Sequence, residues 1–118
     1  MSLSVDVYVP RAEGGIEVLD VPPGRSDAAG PEQWRTEVWG SEPVRSLGAR
    51  FLPRLATEDL TVAPDEMPAF LAECALIRTQ LARLAPALAP ADAVSRRLDN
   101  IVDAARRASD IGGGIIIW

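Results

Sequence analysis

With 118 residues, 12.6 kDa, 47% apolar and 25% charged side chains, the chain has the size and composition of one folded domain, 1–118. A second independent core and wholesale disorder are both excluded. The sequence holds no histidine and no lysine, so twelve arginines carry its side-chain positive charge, and Ser-His-Asp relays, HExxH zinc helices and imidazole acid–base chemistry are closed to it. The net charge of −5 is uneven: residues 1–33 carry six acids against two arginines, a sign that repels nucleic acid and anionic membrane surfaces and attracts a basic protein partner.

Taken in chain order, Leu3, Val5, Val7 and Val9 alternate with Ser4, Asp6 and Tyr8, the period of a strand with one buried face. Pro10 ends it, the turn residues of 10–15 follow, and Ile16-Glu17-Val18-Leu19 returns as the second arm of a hairpin. Residues 20–33, rich in proline and glycine and poor in apolar side chains, read as a long surface loop. Trp34-Arg35-Thr36-Glu37-Val38-Trp39 alternates weakly as a strand stopped by Gly40, with the two tryptophans of opposite parity, which leaves two readings open: one in the core and one exposed, or both in the core. Ser41, Pro43 and Gly48 frame one or two helical turns, Phe51 to Leu55 form an apolar connector, and Asp59-Leu60-Thr61-Val62 is a short strand.

The period then changes. Met67, Phe70, Leu71, Cys74, Ile77, Leu81 and Leu84 recur in steps of three and four, which predicts a helix over 65–84 with Asp65 and Glu66 at its positive end and a break over 85–90. A second helix follows, with Val94, Leu98, Ile101, Val102 and Ala105 inward and Asp103 placed to pair with Arg106 or Arg107. Gly112-Gly113-Gly114 stops it, and Ile115-Ile116-Ile117-Trp118, β-branched and apolar on both faces, enters the interior of a sheet or a homodimer seam. The fold class is α+β: two layers, a small, mostly antiparallel sheet covered on one face by the C-terminal helix pair, with the last strand at the C-terminus.

Few residues carry chemistry. The three glycines follow a helix, so they meet its carbonyl end, whereas a phosphate cradle needs a helix N-terminus. Cys74, alone and on the apolar stripe, is expected to be buried and inert. The pairs Asp65/Glu66 and Asp99/Asp103 lack a third ligand for a metal and have arginines nearby, and Arg96, Arg97, Arg106 and Arg107 are interleaved with acids, unlike a nucleic-acid helix. No catalytic residue, cofactor or metal is therefore expected. With no disulfide, no basic leader and no apolar run near eighteen residues, the chain reads as cytoplasmic.

The leading expectation is a non-catalytic protein-binding domain, such as an immunity or antitoxin-like inhibitor of a basic toxin. Its contacts would be Glu13, Glu17 and Asp20 for steering, with Trp34, Arg35 and Trp39 as anchors. Two alternatives are a small-molecule domain with a cleft between sheet and helices, using Arg35, Tyr8 and carboxylates, and a homodimeric module joined through Ile115–Trp118.

Overall fold

The computed structural model describes residues 2–88 and 90–118. The alternation at the amino terminus produces β1 (Ser2–Pro10), with Leu3, Val5 and Val7 buried on one side. After the turn, β2 (Ile16–Val18) returns antiparallel, Tyr8 opposite Val18 and Pro10 opposite Ile16. The Leu19 N–H then donates to the Val7 carbonyl and the Val5 N–H to the Asp27 carbonyl, both at 2.8 Å, before β3 (Ala28–Pro31) resumes the same edge of β1.

Part of the loop expected over 20–33 is therefore a strand. Ala28-Ala29-Gly30-Pro31 has no β-branched residue and so no local signal; the open edge of β1 pairs it. Its Ala28 and Ala29 carbonyls also accept Asn100 Nδ2 and Trp39 Nε1, each at 2.9 Å.

The strand expected over 34–39 is a π-helical turn, Arg35–Trp39, in which the Gly40 N–H reaches back five residues to the Arg35 carbonyl at 2.9 Å. Strand parity would send the two tryptophans to opposite faces. The wide turn instead brings their rings together edge to face, centroids 6.0 Å apart, and both are buried. Gly30 lies under Trp34, where a Cβ would sit 2.4 Å from the ring. After this come α1 (Glu42–Arg45), a 3₁₀ turn over Leu52–Ala56 and β4 (Leu60–Val62).

A 3₁₀ turn, Pro64–Glu66, leads into α2 (Met67–Leu88), with the Glu66 carboxylate accepting the Ala63 N–H at 3.0 Å. Met67, Phe70, Cys74, Ile77, Leu81 and Leu84 form its buried stripe, as their spacing predicts, and Leu71 is half-buried. The helix continues to Leu88, past the break expected at 85; Ala89, within that expected break, lies outside the described residues.

In α3 (Ala91–Asp110), Val94, Leu98 and Ile101 give way to Ala104, Ala105 and Ala108, all buried, and these small side chains let its second half approach β1, β3 and the last strand closely. Asp103 pairs with Arg107 at 3.0 Å one turn on and with Arg25 at 2.6 Å, which ties the 20–27 loop to the helix.

At the end of α3, Gly112 takes a left-handed φ of +70°, its N–H donating to Ser109 while that of Gly113 donates to Ala108 at 2.8 Å. The chain then enters β5 (Gly114–Ile117), which lies between β1 and β4 and pairs antiparallel with both. The sheet order is β2-β1-β5-β4 with β3 also on β1, five antiparallel strands with α2 and α3 packed on one side: the expected α+β layering. No helix among the described residues is long and apolar enough to cross a membrane.

The three glycines serve different needs. A Cβ on Gly113 would lie 2.3 Å from the Tyr8 carbonyl, and one on Gly114 would lie 2.3 Å from the Val62 carbonyl and 2.5 Å from the Tyr8 hydroxyl, so close approach and not backbone freedom selects glycine there. Gly112→Ala should therefore cost about 1–2 kcal/mol, the penalty of a left-handed conformation. Gly114→Ala should cost distinctly more, because β1 and β4 must move apart. Phe70→Ala, which also loses the edge-to-face contact with Phe51, should cost about 3–5 kcal/mol. Chemical denaturation of the three variants checks the order.

Candidate functional site

The six residues singled out for partner contact do not converge. Glu13 and Glu17 are exposed at the β1–β2 hairpin, 3.6 Å and 3.5 Å from Arg11, which offsets part of their charge. Asp20 is exposed on the rim of a groove of about 300 Å³ walled by Leu19, Pro22 and Ile111. Trp34 and Trp39 are both core residues, 9% and 0% exposed, so neither is the exposed anchor that strand parity allowed. Arg35 is a clasp: its guanidinium donates to Glu32 and Asp59 at 2.6 Å, to the Glu58 carbonyl at 2.9 Å and to the Leu55 carbonyl at 3.2 Å, pinning the π turn to the start of β4. Arg35 and Tyr8 do not line one cleft, since Tyr8 alternates with the buried Val7 and so points to the side of the sheet away from the helices.

That uncovered side holds a more coherent surface. Register places Ser4, Asp6, Tyr8 and Pro10 of β1 beside Ile16 and Val18 of β2, and beside Ile116 and Trp118 at the other edge of the strand. Ile16, Val18 and Trp118 are 47%, 41% and 46% exposed, three of the five large apolar side chains that stand open to solvent among the described residues. Ile116 sits between Gly114, over which the Tyr8 ring lies, and Trp118, and is buried despite having no helix above it. The Trp118 indole is held in place: its Nε1 donates to the Asp6 carboxylate at 2.8 Å across the strand pair. Because both edges of β5 are occupied, a second copy could meet Ile115–Trp118 only through side chains.

Charge around this face is negative. Tyr8 donates to the Val62 carbonyl at 3.3 Å, and its phenol is pushed above the ordinary tyrosine range by burial and then by the Glu66 and Asp65 carboxylates. With Asp6, these acids border the aromatic patch, and among the described residues no group of three acids or thiols is placed to hold a metal ion. Comparison with protein-family models, with curated proteins and with solved structures gives no match.

One residue escaped the sequence reading although its position is informative. Glu73 falls on the same face of α2 as Phe70 and Ile77, and a carboxylate on an apolar stripe must find donors. It takes the N–H groups of Arg50, Phe51 and Leu52 at 2.5–3.2 Å, closing the amino end of the 3₁₀ turn from across the fold. Glu73→Ala should destabilise the domain by about 3 kcal/mol or more, given about 1–3 kcal/mol for each buried donor left unsatisfied, read from the denaturation midpoint.

Cys74 is fully buried, its thiol pushed up to about 12 by burial and by the neighbouring Glu73 charge. The folded chain holds a proton that the unfolded chain releases near pH 9, so its contribution is complete below that pH and is lost as pH rises toward 12. Stability should therefore fall across that alkaline window, and Cys74→Ala should flatten the fall. Thiol reagents should label Cys74 only on unfolding.

Proposed function

We propose that this chain is a protein-binding domain without turnover of its own, which presents the uncovered face of its sheet, anchored by Trp118 and bordered by carboxylates, to a basic partner. The reading rests on one observation: Ile16, Val18 and Trp118 stand open on the same face of the sheet, beside Asp6 and near Asp65 and Glu66. A half-exposed tryptophan fixed by a hydrogen bond loses little freedom on binding, which suits an interface anchor. The exposed Glu13, Glu17 and Asp20 add to the negative field that steers encounter. An inhibitor that neutralises a basic toxin fits this chemistry.

The test is a pull-down from the native host followed by binding kinetics on the protein recovered. A basic protein should come down at equal stoichiometry, and Trp118→Ala should weaken it by about 2 kcal/mol, roughly thirtyfold, mainly through faster dissociation. Reversing Glu13, Glu17 and Asp20 to arginine should slow association and reduce its salt dependence. Trp34→Ala and Trp39→Ala should lower the melting temperature, with binding by the folded fraction intact. Undiminished binding by a folded Trp118→Ala variant would overturn the assignment of this face; recovery of nothing, with thermal stabilisation by a metabolite, would favour a small-molecule domain.

A further inference from the structure

A second surface differs from the open sheet face in both shape and charge. A groove of about 400 Å³ lies between α2 and the segment 48–54, within the roughly 300–1,000 Å³ usual for small-molecule sites. One wall is the stripe Ala69, Ala72 and Leu76, three and four residues apart on α2, and Leu76 is 40% exposed. Two alanines make that stripe a trough about 10 Å long at the helical rise. The opposite wall is Phe51 with the side chains of Arg50 and Arg54, and the Arg54 guanidinium lies over the Phe51 ring, 5.1 Å from its centre.

Half of the twelve arginines have no ion-pair partner among the described residues, and these two are among them. Arg11, Arg25, Arg35, Arg45, Arg78 and Arg107 each hold a carboxylate, whereas neither Arg50 nor Arg54 has an ion-pair partner among the described residues. The nearest acid on the groove, Glu73, is engaged by the three backbone N–H groups of Arg50, Phe51 and Leu52, so its oxygens face that backbone. The groove thus combines an apolar floor with two cations whose hydrogen-bonding edges are open.

We propose that this groove binds a small apolar monocarboxylate, its hydrocarbon along Ala69, Ala72 and Leu76 and its carboxylate on Arg50 and Arg54. Guanidinium forks match a carboxylate in charge and geometry, and the alanine trough leaves room for a chain where larger side chains would fill it. The site is independent of the sheet face and its partner.

Octanoate below its micelle concentration is the probe, titrated calorimetrically into the full chain against octanamide, its uncharged counterpart. Saturable one-to-one binding is expected, at least tenfold weaker for octanamide and for the double variant Arg50→Met/Arg54→Met. Ala72→Leu, a solvent-side substitution on α2 that fills the trough, should abolish binding with an unchanged melting temperature, and Trp118→Ala should leave octanoate affinity as it is. Equal affinity for octanoate and octanamide, binding that survives Ala72→Leu, or no saturable binding would each overturn the proposal. Should the arginine double variant fail to fold, the octanamide and Ala72→Leu comparisons still decide it.

Discussion

The pairing of β5 with β1 is the contact on which the remaining architecture hangs. It joins residues more than a hundred positions apart, down to the bond from Trp118 to Asp6, and it fills the place between β1 and β4 that would otherwise split the sheet. Steric room for it comes from Gly113 and Gly114, which pass against the Tyr8 and Val62 carbonyls at distances that no side chain allows. The Tyr8 ring then covers the missing side chain of Gly114, an arrangement that restores to the sheet the packing that glycine removes. So long a loop has to close before this pairing is rewarded, which places the β1–β5 contact among the costly steps of folding.

A sheet covered on one side only has two unlike faces. Val5, Val7, Leu60, Val62, Ile115 and Ile117 meet the helical layer and are buried within it. On the other side the same strands carry Ser4, Asp6 and Thr61, yet also Ile116, Tyr8 and Trp118, which shelter one another. An antiparallel sheet can turn one face to water, and its usual outward side chains are polar. Aromatic and β-branched side chains in those positions are a departure from that pattern, and they coincide with three of the five exposed large apolar side chains among the described residues and with nearby carboxylates. Binding surfaces arise where such departures cluster.

Between the strands and the helices the chain is irregular, and single polar side chains hold it. Arg35 gathers the ends of the π turn and β4 with four hydrogen bonds, Glu73 closes the 3₁₀ turn, and Trp39 and Asn100 satisfy the carbonyls of β3. Each supplies, from a distance, a partner that regular secondary structure would have supplied locally. The groove beside α2 follows the same pattern: Glu73 is committed to the backbone, and among the described residues Arg50 and Arg54 have no carboxylate partner.

Local chemistry was enough to read the periodic parts of this chain. Alternation at Leu3, Val5 and Val7, the three-four spacing of Met67 to Leu84, the glycine stop at 112 and the β-branched end at Ile115–Ile117 each depend on side chains within a few residues, and the α+β class follows from their order. Tertiary structure alone decided the rest. Ala28–Pro31 became a strand because an edge of β1 was free, and Arg35–Trp39 became a π turn because the Trp34 indole packs over Gly30 and edge to face on Trp39 while Gly40 lies against the Arg35 carbonyl and Ala56, although nothing in either segment's own propensity asks for it. Which tryptophan meets solvent was decided in the same way: the pair with the hot-spot neighbourhood in sequence is buried, and the one read as an ordinary strand residue lies on the face that no helix covers, because helix placement on a sheet is a non-local choice that no window of sequence contains.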